Sequence, residues 1–460
     1  MGSGLSGCIL GTEHPDAALE VPAAYAAAGR DPDAAVPAPD WWRGFRSQEL
    51  TQLVEQARLS NLDIAVAVAQ IIQADAQAGI AGAPLLPSLT GGASAERFRQ
   101  RSALGGGASV SSQYNLGLTA SYMLDFWGRN RATFFAAEKN AVASRYNREV
   151  VALSTVVSVA NTYFQILAAQ DELKAARDNL AASARILNLI QKQFAGGTAS
   201  QLDVSQQSAL VATVRASIPP LEVTRRQNIA ALAVLVARAP ADFHVNGQSL
   251  SRISVPRVTP GLPSELLVRR PDIRQAEAQL AASNFSVEAA RAAFLPQIEL
   301  TGTTGFQSAA LSSLFGPGAW YYTLAASLTQ PILDGYALKN EFKQAKGVQL
   351  QYLQSYRKAV LSGFADVEMA LVALEQTTIQ MRLQGEVVAS SRKAFEIAEE
   401  QLNGGTVNLV SVLQAEQTLF TAQSELVQIR LNRMLAATSL FQALGGGWDK
   451  TVPQPPLASQ

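Results

Sequence analysis

The stretch Asn61-Leu62-Asp63-Ile64, followed by Ala69-Gln70 and Pro87, returns as Arg270-Pro271-Asp272-Ile273, Ala278-Gln279 and Pro296. The pairs 63/272, 70/279 and 87/296 are each offset by 209 residues, and Gly196-Gly197-Thr198 returns as Gly404-Gly405-Thr406 at an offset of 208. A period that long is too large for a solenoid unit and reads as a duplicated half-molecule. Around each copy runs the same series: a helix, two strands, a very long helix, a glycine-rich turn and a return helix. A chain of 460 residues ordinarily predicts two or three globular domains. The repeat argues instead for one architecture built from two intertwined halves.

Working outward from the first copy, Leu50, Leu53, Val54, Ala57, Ile64, Val68, Ile71 and Ile72 recur at three- and four-residue spacing, which predicts a helix from Ser47 to about Gly79. Pro84 and Pro87 stop it. The pattern then changes. Asn115 to Tyr122 alternates polar and apolar residues strictly, the period of a strand with two unlike faces. Strands are predicted at about 88–99 and 114–123, separated by a loop around Gly105-Gly106-Gly107, and in the second copy at about 297–307 and 320–329. Long helical hairpins follow at about 128–237 and 336–444. The first long helix, about 68 residues from Gly128 to Ala195, spans about 100 Å. Pro219-Pro220 in the return helix predicts a bend.

The chain is expected to divide into residues 1–7 (a residual signal sequence), an extended arm over 8–46, a first repeat over 47–238, a connector over 239–262, a second repeat over 263–448 and a tail over 449–460. Formal net charge is zero, with 37 basic and 37 acidic residues. Neither a nucleic-acid partner nor a polybasic membrane contact is indicated. No uninterrupted apolar run reaches the roughly 20 residues of a membrane-spanning helix. The only histidines are His14 and His244, a poor supply for metal sites or histidine-based catalysis. No G-x-S-x-G, phosphate-binding loop or metal spacing supports an enzyme, and no cofactor is expected. The single cysteine, Cys8, cannot form an intrachain disulfide.

Four strands per chain constrain the assembly. A lone sheet with two open edges is a liability in water and is excluded from lipid. Three chains would supply twelve strands, enough for a closed barrel with an aqueous lumen. Small residues in the strands (Gly91, Gly92, Ala93, Gly117, Ala120, Gly302, Gly305) fit such a wall, and aromatics stand at the strand ends, Phe126 and Trp127 at one and Trp320, Tyr321 and Tyr322 at the other. Interfacial girdles have that placement. A soluble β-sandwich would not carry helices of this length. A coiled-coil rod would show sustained Leu/Ile heptads, whereas Ala175-Ala176 and Ala181-Ala182 occupy apolar positions here.

The chain resembles the TolC-like outer membrane factors, particularly the lipoprotein subgroup of OprM/NodT type that serves efflux pumps. The deciding signature is Leu262-Pro263-Ser264-Glu265-Leu266-Leu267-Val268-Arg269-Arg270-Pro271-Asp272-Ile273 followed by Ala276-Glu277. Leu124-Asp125-Phe126-Trp127-Gly128-Arg129 and Gln330-Pro331-Ile332-Leu333-Asp334-Gly335 resemble the family's strand-to-helix junctions, and Gly445-Gly446-Gly447-Trp448 its C-terminal ending. The resemblance implies an α+β membrane protein: a homotrimeric 12-stranded outer-membrane β-barrel continued by a 12-helix periplasmic α-barrel, with a mixed equatorial region. It implies a passive exit duct in the Gram-negative outer membrane, coupled through a periplasmic adaptor to an inner-membrane pump, with a proton-driven RND-type pump expected. Leu5-Ser6-Gly7-Cys8 resembles a lipobox, so lipid attachment at Cys8 is expected. The tip turns that contact the adaptor fall on Gly196, Gly197, Thr198, Gly404, Gly405 and Thr406. In the gate that closes related channels, the apolar position matches Val410 and the acidic one Gln414, with Asp203 and Glu416 as nearby candidates for charge. Two readings compete with small-molecule efflux: the duct of a type I protein secretion system, and an envelope scaffold that never conducts.

Overall fold

The computed structural model describes residues 19–26, 38–101, 108–247, 249–256, 261–446 and 448. Cys8, the loop at Gly105-Gly106-Gly107, Gly447 and the tail 449–460 lie outside these residues. Among the described residues the principal elements run α1 (Gln48–Ser60), α2 (Leu62–Gly82), β1 (Ser88–Arg101), β2 (Ala108–Leu124), α3 (Arg129–Ala195), α4 (Gln201–Leu235), α5 (Pro263–Arg269), α6 (Pro271–Ala292), β3 (Gln297–Ser308), β4 (Trp320–Thr329), α7 (Ala337–Asn403) and α8 (Leu409–Ala443). Both halves carry the same series, with a long helix of 67 residues and a return helix of 35 in each. Strand β2 begins six residues before the predicted 114, because its N-terminal part stays in register with β1 as far as Ala108↔Arg101.

The chain folds into two compact units, and neither is a sequence half. Of the described residues, one holds those within Ala69–Arg145 and Gln275–Lys358; the other holds those within Leu19–Val68, Tyr146–Arg274 and 359–448. Each therefore takes equivalent segments from both repeats.

The first unit contains a four-stranded antiparallel sheet in the order β1-β2-β3-β4. Around it, Phe135 meets Phe285 at 5.5 Å between ring centroids, and Arg145 pairs with Asp75 at 2.6 Å. The strand-to-helix junctions have a common physical basis. Asp125 accepts hydrogen bonds from the amides of Asn130 and Arg131 at 2.8 and 2.9 Å, and Asp334 from that of Leu338 at 2.9 Å. Each carboxylate satisfies helix N-terminal amides and lies at the positive end of the helix dipole.

In the second unit, a 3₁₀ turn at Trp41–Phe45 enters the core. Trp41 stacks on Phe441 at 4.6 Å, and Phe45 packs against Phe164 at 5.1 Å. Trp41 and Trp42 are each 3 % exposed, and Phe45 is fully buried. The arm predicted to be extended thus donates three of its aromatics to a core.

One sequence expectation needs correction here. The helix predicted from Ser47 to Gly79 is two helices, broken at Asn61, whose backbone is extended. Asn61 is 3 % exposed; its Oδ1 accepts from the amides of Asp63 and Ile64, while its Nδ2 donates to the Leu235 carbonyl at 2.8 Å. Its side chain therefore caps α2 and ties the break to α4. The equivalent residue, Arg270, breaks the chain between α5 and α6, as the following proline favours. It forks onto Asp272 at 3.0 and 2.7 Å and reaches Asp366 at 2.9 Å and the Ala443 carbonyl at 3.3 Å. At Pro219-Pro220, α4 continues through both prolines as one helix. They lie on an exposed stretch of α4, where water can satisfy the carbonyls that proline leaves unpaired.

By composition, α3 and the segment Gln48–Leu85 each contain an 18-residue window apolar enough to cross a membrane. Half of the α3 window is buried within the protein, whereas only 11 % of the other is.

Close backbone approach in the sheet yields a test. A Cβ on Gly305 would lie 2.4 Å from the Leu116 carbonyl oxygen, while one on Gly92 would meet nothing within 4 Å. Gly305→Ala is expected to cost about 1–3 kcal/mol and Gly92→Ala no more than about 0.5 kcal/mol, measured by thermal unfolding of the detergent-solubilised protein.

Candidate functional site: the paired hairpin tips

Both helical hairpins end within the second unit, and their turns are built alike. After α3, the Thr198 amide donates to the Gln193 carbonyl at 2.8 Å and the Gly197 amide to that of Phe194 at 3.0 Å. After α7, Thr406 donates to Gln401 at 2.9 Å and Gly405 to Leu402 at 3.1 Å. These nested bonds satisfy helix C-terminal carbonyls and require a left-handed residue. Gly197 and Gly405 provide it, at φ +77° and +70°. Each threonine hydroxyl also donates to the same distal carbonyl, at 3.0 and 3.1 Å, so both polar groups of the threonine serve the turn. The predicted residues Gly196, Gly197, Thr198, Gly404, Gly405 and Thr406 are all exposed there.

The return helices start with side-chain caps. Ser200 accepts from the Asp203 amide at 3.2 Å, while Asp203 accepts from the Ser200 amide at 2.8 Å, completing a reciprocal capping box. Hydrogen bonds from Ser200 hold the Asp203 carboxyl below the usual carboxylate range. Asn408 caps α8 through the Ser411 amide at 3.1 Å.

The two tips share one apolar cluster, including Ile186, Ile190, Leu402, Leu409, Val412 and Leu419. The Gln193 side chain also donates to the Leu402 carbonyl at 3.4 Å. On α8, Val410 is 48 % exposed, and Gln414, four residues on, is exposed as well. The structure thus brings the two matched gate positions onto one exposed stripe.

Glu416 does not join them. It lies about 200° round the helix from Gln414 and is fully buried. The Ser183 hydroxyl of α3 donates to Glu416 Oε1, and the Gln207 amide of α4 donates to the Ser183 carbonyl at 3.0 Å. Ser183 and Gln207 are also fully buried. Glu416 Oε2 and Gln207 Oε1 have no hydrogen-bond partner. Burial raises the Glu416 pKa; the Ser183 hydroxyl and the nearby Gln207 side chain oppose that shift without cancelling it, Glu399 reinforces it and Arg185 weakens it. Glu416 therefore belongs to a buried polar contact among three helices, not to an exposed ring. Nothing in the sequence singled out Ser183 or Gln207, because serine and glutamine abound in the long helices; only tertiary packing distinguishes them.

The sheet of the first unit carries the remaining candidates. Direct cross-strand partners share a face, so the register sorts every strand residue. One face holds Leu89, Leu116, Leu118, Leu124, Ile298, Leu300, Phe306, Trp320, Tyr322, Leu324 and Leu328; the other holds Thr90, Asn115, Thr119, Ser121, Thr301, Thr303, Thr323 and Ser327. Phe126 and Trp127 follow the Leu124 end of the sheet, while Trp320 pairs with Phe306 at the other. Trp127 packs edge-on against Phe126 at 4.8 Å and donates to the Pro296 carbonyl at 2.7 Å. Tyr321 departs from the expected group: it lies on the polar face, and its hydroxyl donates to Asn115 Oδ1 at 3.1 Å. Strand alternation separates it from both aromatic neighbours.

Comparison with known proteins adds to this geometry. The family model described as "Outer membrane efflux protein" matches residues 53–238 and 262–446. The chain is 37 % identical over 432 residues to the pyoverdine export outer membrane protein OpmQ of Pseudomonas aeruginosa, covering 92 % of this chain and 90 % of that protein. It is 32 % identical over 422 residues to the toluene efflux pump outer membrane protein TtgF of Pseudomonas putida, covering 90 % of this chain and 87 % of the relative. Among solved structures, the open state of the Neisseria gonorrhoeae MtrE outer membrane channel superposes with a TM-score of 0.84 at 30 % identity, covering 97 % of this chain and all of that one. The outer-membrane channel OprN superposes with a TM-score of 0.88 at 26 % identity, covering 95 % and 99 %.

The buried carboxyl sets a pH dependence. A raised folded-state pKa means that the folded protein favours the protonated acid, so stability is lost as pH rises above the ordinary glutamate value of 4.5 and levels off once the folded group has ionised. Glu416→Gln, which stays neutral, is expected to exceed the native protein in thermal stability at pH 8 by on the order of 1–3 kcal/mol. Melting curves recorded from pH 4 to pH 8 should show that advantage shrinking as pH falls; an advantage independent of pH would contradict the assignment.

Proposed function

The chain belongs to the outer membrane efflux protein family, and on that premise we propose that it is the passive outer-membrane duct of a tripartite efflux pump. The observation that carries the reading is the two-faced sheet, largely apolar on one side and largely polar on the other, with β1 and β4 each paired on one edge only. Such a sheet suits a wall between lipid and water, and its open edges require closure. Three copies would close twelve strands into a barrel with a water-filled lumen, and the same three would place twelve helices in a periplasmic tunnel. The exposed apolar side chains of α2, among them Leu62, Val66, Ile72 and Ile80, suit packing against neighbouring copies in that trimer. No step of this function needs a catalytic group. The duct conducts, and the pump supplies the energy.

In this reading the exposed turns at Gly196-Gly197-Thr198 and Gly404-Gly405-Thr406 meet the periplasmic adaptor. Val410 and Gln414 narrow the lumen at the same end. A ring of neutral Gln414 amides responds less to pH than crowded carboxylates would, because no like charges repel. Small-molecule efflux is favoured over type I protein secretion by similarity to the export protein OpmQ and the toluene efflux protein TtgF, and the inner-membrane partner proposed here is a proton-coupled RND-type pump. A lipid on Cys8 would supplement the barrel as an anchor.

Two measurements test the proposal. In planar lipid bilayers the purified protein should form discrete ion-conducting pores, and Val410→Gly should increase the open fraction; membranes that stay silent with both proteins would leave only a scaffold. Native mass spectrometry should give an assembly of three chains, each with the mass of a lipidated Cys8. A stable monomer would rule out the barrel, and a bare cysteine would rule out the anchor alone.

A further inference from the structure

The apolar face of the sheet ends abruptly in charge. Along β1 that face carries Leu89, Gly91, Ala93 and Ala95, and then Arg97, Arg99 and Arg101. All three arginines are exposed. Among the described strand residues they are the only charged side chains on this face, whereas Glu96 and Glu299 lie on the polar one. No ion pair engages the three guanidiniums among the described residues.

Their height follows from the register. The apolar rows run from Leu124↔Ile298 through Tyr122↔Leu300, Gly91↔Leu118 and Ala93↔Leu116 to Ala95↔Tyr114. Ten residues along β2, from Leu124 to Tyr114, cover about 34 Å of strand. At the usual tilt of about 45° they rise about 24 Å, the height of the apolar band of a membrane barrel. Phe126 and Trp127 follow one end of this band, and Tyr114 and Trp320 stand near the other. Arg97 is two residues beyond the Tyr114 row, about 7 Å further along the strand. It and the next two arginines on the same face therefore fall just outside the hydrocarbon, at the level of the lipid headgroups. A lipid-facing arginine is costly in mid-bilayer but tolerated at the interface, and arginine forks match phosphate oxygens. The strand end that carries them is the hairpin end, away from the helices that follow β2 and so on the outer side of the membrane.

We propose that Arg97, Arg99 and Arg101 form a binding site for the phosphate groups of an outer-leaflet lipid. The ligand is a phosphorylated glycolipid whose acyl chains lie on the leucine-rich band while its phosphates reach the arginines. The site rests on the reading of the apolar face as the lipid-facing one. It holds the β1 edge in the outer leaflet by charge, independently of conduction.

The test uses the full-length assembly in mild detergent. Native mass spectrometry compares retention of bisphosphorylated lipid A with that of the same lipid lacking its phosphates, with inorganic phosphate as competitor. The native protein should retain the phosphorylated lipid preferentially. Replacing the three residues together (Arg97→Gln, Arg99→Gln, Arg101→Gln) should reduce that retention on the order of tenfold to a hundredfold, whereas replacing all three with lysine should preserve most of it. Unchanged retention in the triple glutamine variant, or equal retention of the lipid without phosphates, overturns the proposal. Displacement by an equal concentration of inorganic phosphate would identify a free-anion site and overturn the lipid assignment. A photoreactive side chain at Leu118 tests the underlying orientation: without cross-linking to acyl chains both readings fall, while cross-linking together with arginine-independent lipid retention removes only this one.

Discussion

A β-strand presents backbone donors and acceptors along both edges, and this sheet satisfies only the inner ones. Strands β2 and β3 are paired on both sides, whereas β1 and β4 each offer one open edge. In lipid every such group must be satisfied by another part of the protein. That single requirement organises the proposed assembly. It calls for closure between copies, and closure gives meaning to the alternation, because a barrel needs one face for lipid and one for water. The glycine pairs follow from the same geometry. Gly117 and Gly305 face each other across β2 and β3, where any larger residue at 305 would press on the neighbouring backbone.

The helical portion rests on repeated local devices. Asp125 and Asp334 begin the two long helices, and the two glycine-threonine turns reverse them. Asn61 and Arg270 interrupt the chain at equivalent places by different chemistry. Asn61 breaks a helix with a neutral capping side chain, and Arg270 does so with a guanidinium clamped between Asp272 and Asp366. The motif around Arg270 is thus explained by a junction that must hold α6, α7 and α8 together, and removing one member of such a pair typically costs more than the pair contributes.

At the tips the halves differ. The exposed stripe of Val410 and Gln414 occurs on the second return helix, and the buried contact of Glu416 with Ser183 joins that helix to the first long one. A carboxyl group there is a tolerated cost in the folded protein, held by packing among three helices. It distinguishes the interior of the tip, which titrates, from the exposed stripe, which does not.

The repeat, the kind and order of the long elements, the tip turns and the two-faced strands are legible in the chain alone, because each is encoded by local periodicity or by a glycine, proline or aspartate acting within a few residues. Packing and strand register settled the remainder. They placed Trp41 and Trp42 in a core, moved Glu416 from the exposed stripe to a buried contact, put Tyr321 on the polar face and aligned Arg97, Arg99 and Arg101 beyond the apolar rows. Those outcomes depend on which helix face packs inward and which strand residue stands opposite which. Such relations arise between residues far apart in the chain, and no local pattern records them.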